Sequence, residues 1–141
     1  MSAARYTFDA PSLGEEITVC LTLPDTLAAE REDGLYPACV LVSPSGREAD
    51  FWLRAFPLEA LSRPPWNRAT ISLPARILSF PHEEVTRFLS RELPALAQLF
   101  KLSILQMGVA DAPKESAMQA LRAVGVPVVF GLSDPQSLLP V

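Results

Sequence analysis

The sequence predicts an α+β fold, and three observations carry that prediction. Residues 16–23 alternate apolar and polar side chains, the two-residue period of a strand with one buried face. From Pro81 onward, apolar residues instead recur every three or four positions, the period of a helix. Residues 102–130 then read strand, helix, strand, the layout of a β-α-β unit. The expected architecture is an antiparallel β layer over residues ~5–80, then a helix and a C-terminal β-α-β segment, all packed as one domain spanning 1–141.

In the first strand Ile17, Val19, Leu21 and Leu23 share one face, and Glu16, Thr18, Cys20 and Thr22 the other. Pro24 and Asp25 end it, and Thr26–Gly34 is a polar connection with a helical turn over Leu27–Arg31. Ala38–Val42 is a short continuous apolar run, the pattern of a strand covered on both faces. Ser43-Pro44-Ser45-Gly46 carries turn chemistry, a proline with preset φ and a glycine free to take positive φ. Asp50–Phe56 answers as a returning strand, so residues 38–56 read as a hairpin. Arg68–Leu73 is another strand, while Ser62–Asn67, with Pro64 and Pro65, is a loop.

In the second half, Pro81 suits a first helical position, and Glu83 and Glu84 sit where the helix dipole favours anions. Val85, Phe88, Leu89, Leu93, Leu96, Ala97 and Phe100 form the apolar stripe. Pro94 falls inside it and either kinks one helix or starts a second, with Ser90–Leu93 as the joint. Lys101–Val109 reads as a strand, Leu102, Ile104 and Gln106 alternating with Ser103, Leu105 and Met107. Pro113 opens another helix, with Asp111 as its cap, Ala117, Leu121 and Val124 facing inward, and Gly125 at its left-handed stop. Val126–Phe130 follows as a short buried strand.

Composition excludes several function classes. Of 141 residues, 49% are apolar and 20% charged, with a mean hydropathy of +0.21, which excludes a disordered tail. No apolar run approaches the ~20 residues of a membrane span, and residues 1–6 lack the apolar stretch of a signal peptide. A soluble, cytoplasmic protein with no membrane partner is expected. A net charge of −4 and a pI near 5.0 disfavour nucleic acid as a partner. Ten arginines against two lysines, one asparagine and fourteen prolines fit either a GC-rich genome or a thermophile.

The catalytic inventory is thin. His82 is the only histidine, and Cys20 and Cys39 are the only thiols. Of these, Cys20, on the polar side of its strand, is the thiol expected to react, and Cys39 a small hydrophobe. Neither C-x-x-C nor H-x₃₋₅-H spacing occurs, so no metal and no cofactor are expected. A Cys20–Cys39 disulfide between neighbouring strands is conceivable, but a cytosolic address keeps thiols reduced. No G-x-G-x-x-G, G-x-x-x-x-G-K-[ST] or G-x-S-x-G is present.

Charge is distributed unevenly. Residues 9–34 hold seven acids against Arg31, net −6, whereas residues 47–76 sum to +2 and contain Trp52 and Trp66 beside Arg54, Arg63 and Arg68. Arginine with tryptophan is typical of interface anchors, or stacks single-stranded bases, or reflects buried rings and solvated charges. An acidic and a basic face could also meet across a homo-oligomer. The apolar end, with Leu138 and Leu139, either folds back or docks on a partner. The leading expectation is therefore a non-catalytic module binding another protein or a second copy of itself. Its interface candidates are Trp52, Arg54, Arg63, Trp66, Arg68, Leu138 and Leu139. The alternative is a small ligand-binding or hydrolytic α/β domain. Its site would be loops 108–113 and 131–135, using Asp111, Ser133 and Asp134 at the carboxyl ends of parallel strands.

Overall fold

The computed structural model describes residues 2–23, 34–55, 69–111 and 114–132. Alternating and continuous apolar runs become six strands: β1 (Ser2–Ala10), β2 (Glu15–Leu23), β3 (Tyr36–Val42), β4 (Ala69–Leu73), β5 (Leu102–Val109) and β6 (Val128–Phe130). They form one sheet in the order β1-β2-β4-β3-β5-β6. The pairs β1–β2 and β2–β4 are antiparallel, while β3 joins β4 on one side and β5 on the other in parallel, and β5–β6 is also parallel. Helices α1 (Phe51–Ala55), α2 (His82–Arg87), α3 (Leu93–Leu99) and α4 (Glu115–Arg122) cover it. The class is α+β, as the periodicities predict.

The hairpin over 38–56 does not form. Both edges of β3 are already taken, by β4 and β5, so the aromatic run Phe51–Ala55 has no strand to pair with and coils into α1. An i,i+4 contact supports that turn, Arg54 Nη2 lying 3.2 Å from Asp50 Oδ2. The antiparallel part of the sheet is instead β1-β2-β4, and β1 is a strand the apolar pattern had not revealed. Its inward residues include Tyr6 and Phe8, whose rings meet Phe100 at 5.5 Å and Phe88 at 6.1 Å.

One face of the sheet carries the main core. Ile17, Val19, Leu21, Val40, Val42, Ile71, Leu73, Met107 and Val109 pack there against Val85, Phe88, Leu89, Leu93 and Leu121 from the helices. The predicted long helix is present as α2 and α3, joined by a π-helical turn, Phe88–Glu92. Pro94 has no N–H to offer the carbonyl of Ser90, and the Leu93 N–H reaches back five residues to Phe88 O. Glu92 ends that turn and accepts the Ser12 N–H at 2.7 Å, fastening the β1–β2 connection to the helical layer.

The opposite face is also covered, contrary to the one-sided strand expected for β2. Cys20 and Thr22 are buried there. A row of polar side chains crosses the four central strands in register: Thr22, Thr70, Cys39 and Gln106, all buried. Trp52 of α1 packs on Cys39, Leu41 and Leu132 on this side. In β5 the simple alternation fails at Leu105, because Ile104 faces Ala38 but Gln106 faces Cys39. One extra residue shifts the phase, so Met107 and Val109 join Leu102 in the main core while Gln106 turns away.

Candidate ligand-binding site

The strand order reverses at β3. From β3 the chain passes to β4 on one side, then returns to β5 on the other, so the carboxyl ends of β3 and β5 lie at a topological switch point. Connections there leave in opposite directions, which opens a crevice that open sheets use for ligands. Backbone bonds tie this edge together. Ser43 N–H donates to Leu73 O at 3.0 Å, Ala110 N–H to Val42 O at 3.3 Å, and Leu132 N–H to Val109 O at 3.0 Å.

A cleft of about 210 Å³ sits on that edge, lined by Ser43, Ser45, Leu78, Ser79, Asp111 and Lys114, with Ala75 and Val109. Its loop after β3 turns at Gly46, whose φ of 76° is open to glycine at no steric cost. The turn chemistry read from Ser43–Gly46 is therefore realised. Ser43 Oγ donates to Glu48 O at 2.8 Å across this loop, and Ser79 Oγ donates to Arg76 O at 2.6 Å. The Ser45 backbone N–H donates to Asp111 Oδ2 at 2.7 Å, a charge-assisted bond joining the β3 loop to the β5 loop. Asp111 is thus not the cap of α4. That position is Lys114, without a side-chain bond. Elsewhere an apolar groove of about 300 Å³ runs between α3 and β5, lined by Leu89, Leu93, Leu102 and Met107 among others. It is larger but lacks charged groups converging on one point.

Of the residues singled out in the sequence, Asp111 lies in the cleft, whereas Ser133 and Asp134 fall outside the described residues. Arg63, Trp66, Arg68, Leu138 and Leu139 also fall outside them. Trp52 is 3% exposed and belongs to a core cluster, so it neither anchors a partner nor stacks a base. Arg54 is exposed on α1 and meets Asp50 of its own chain. One contact between the two segments is internal: Arg76 from the basic segment pairs with Glu15 of the acidic one.

No thiol–histidine pair assembles. His82 Nδ1 lies 3.2 Å from Ser116 O, between α2 and α4, while Cys20 and Cys39 lie buried on the opposite face of the sheet. Burial pushes the Cys20 thiol up, Arg5 opposing and Asp50 adding to that effect, so the thiol expected to react is held neutral. The two thiols form no disulfide, since β4 separates their strands by roughly 10 Å, beyond disulfide reach.

No family profile and no curated protein matches the chain. Solved structures do. FphF, a fluorophosphonate-binding serine hydrolase of Staphylococcus aureus, superposes with a TM-score of 0.58 at 13% identity, over 78% of this chain and 47% of that one. An S-formylglutathione hydrolase of the same organism gives 0.53 at 14%, over 79% and 48%. A ferulic acid esterase from the anaerobic fungus Anaeromyces mucronatus gives 0.55 at 11%, over 91% and 57%. The fold is one that esterases use. The chain spans about half the length of these structures. This likeness overturns the leading expectation of a non-catalytic, self-associating protein-binding module.

Ser43, Ser45, Ser79 and Lys114 were not legible as site residues. Each reads as ordinary loop or helix-start chemistry until β3 and β5 are known to be neighbours. Among the described residues, no helix is long and apolar enough to cross a membrane.

Proposed function

We propose that the chain is a small-molecule-binding domain on an esterase-type framework, with its site at the carboxyl edge of β3 and β5. The carrying observation is the coincidence of the Ser43/Ser45/Asp111/Lys114 cleft with the topological switch point.

Serine catalysis at the usual place is absent from this reading. In α/β-hydrolases the nucleophile stands on the sharp strand-to-helix turn, at the centre of G-x-S-x-G. The turn after β5 reads Gly108-Val109-Ala110-Asp111-Ala112, with alanine at the centre. An oxyanion hole there uses the N–H after the nucleophile and one from the loop after the third strand. Here the residue after Ala110 is Asp111, whose carboxylate takes the Ser45 N–H of the β3 loop. A negative charge thus lies where an oxyanion would need to be received.

The expected result with an isotope-labelled sample and a fragment library is that hits perturb the amides of Ser43, Ser45, Gly46 and residues 109–111. Hits confined to the groove between α3 and β5 would overturn the assignment. The hydrolase likeness favours a second reading, ester hydrolysis, which needs a cleft hydroxyl of Ser43, Ser45 or Ser79 as nucleophile. A fluorophosphonate probe separates the two: ligand binding alone leaves the intact mass unchanged, whereas a covalent adduct on one of these serines, together with release of 4-nitrophenol from a 4-nitrophenyl ester, supports hydrolysis.

A further inference from the structure

The polar groups of the cleft are arranged by their commitments. Ser43 and Ser79 each give their hydroxyl proton to a backbone carbonyl, so their oxygens present lone pairs. The Ser45 N–H, the loop amide that could receive an anion, is occupied by Asp111 Oδ2, which leaves Oδ1 of that carboxylate to accept. Lys114, exposed at the start of α4, lines the same cleft and supplies a positive charge. Asp111 and Lys114 form no ion pair with each other among the described residues. Ala75, Leu78 and Val109 give the cleft apolar wall.

A simple anion entering here would meet the Asp111 carboxylate and find the loop amide taken. A simple cation would find acceptors but also the Lys114 ammonium. A ligand carrying both charges meets neither objection. Resting on the ligand-binding reading above, we propose that the cleft takes a small zwitterion of the amino-acid type. Its ammonium is held by Asp111 Oδ1 and the Ser43 and Ser79 oxygens, its carboxylate is met by Lys114, and its apolar body lies on Leu78 and Val109. About 210 Å³ suits a molecule of that size.

The test uses L-leucine and its two single-charge analogues, 3-methylbutylammonium, which lacks the carboxylate, and 4-methylpentanoate, which lacks the amine. Each is titrated into isotope-labelled protein at matched ionic strength while the amides of Ser45 and Asp111 are followed. Leucine is expected to bind at least tenfold more tightly than either analogue. Asp111→Asn is expected to weaken leucine at least tenfold without weakening 4-methylpentanoate, and Lys114→Gln to weaken leucine without weakening the amine. An analogue that binds as tightly as leucine overturns the zwitterion assignment and leaves the cleft as a ligand site. Silence of residues 43–46 and 109–111 toward all three overturns the zwitterion, and silence there toward a fragment library as well removes the cleft itself. Lys114 is solvent-exposed, so its variant carries the test should Asp111→Asn fold poorly.

Discussion

Cys20 shows how one residue couples burial to pH. Its thiol is 1% exposed, and desolvation raises its pKa above the ordinary 9.0. In the unfolded chain the thiol loses its proton near that value, while the folded protein still holds it. The unfolded state then binds fewer protons, so the stability this group contributes is full below pH 9.0 and is lost as pH rises toward the raised native value. Urea midpoints of the wild-type protein are expected to fall more steeply between pH 9 and 10.5 than those of Cys20→Ala. Parallel curves would show that the native thiol is not desolvated. At this same scale, Cys20 was misread because the sequence showed which face it occupies but not that α1 and its neighbours cover that face.

The loop joining β3 to α1 is the element on which the candidate site depends. Gly46 holds a φ of 76° with open space around its Cβ position, so a side chain there meets backbone strain and no clash. Gly46→Ala is expected to cost about 1 kcal/mol, lowering Tm by roughly 3–5 °C. It should also shift the Ser45 amide by disturbing its bond to Asp111. A Tm unchanged within 1 °C would mean the turn takes another conformation. Elements with their own signals were legible in advance: β2 by alternation, β3 by its apolar run, β4 by the strand formers Thr70, Ile71 and Leu73, the α2–α3 joint by Pro94, the end of α4 by Gly125. The segment 51–55 was not, since five mostly apolar residues suit a strand or a helix equally, and the sequence did not show that both edges of β3 are taken by β4 and β5.

Among the described residues, burial falls from the central strands β4 and β3 to the edge strand β6. All five residues of β4 and residues 38–42 of β3 are buried between two layers, whereas β6 is a three-residue edge strand that is half-buried. Amides of Val40, Leu41 and Ile71 are therefore expected to exchange only through global opening, and that of Val129 at least roughly a hundredfold faster. Equal protection of Val129 and Val40 would show that β6 opens only with the core. Charge contacts such as Arg5–Asp50 and Arg76–Glu15 bridge distant segments at the surface and add orientation more than stability.

The amino-acid order alone determined the α+β class, most strand and helix positions, the joint before Pro94 and the lack of a serine in the turn after β5. These depend on local periods, ring constraints and residue identity, which need no distant partner. Tertiary structure decided that β3 pairs in parallel with β4 and β5, that Trp52 is buried, and that Ser45 and Asp111, sixty-six positions apart, share a hydrogen bond. Such facts arise from which edges and faces find cover when the chain closes on itself, and no window of neighbouring residues contains them.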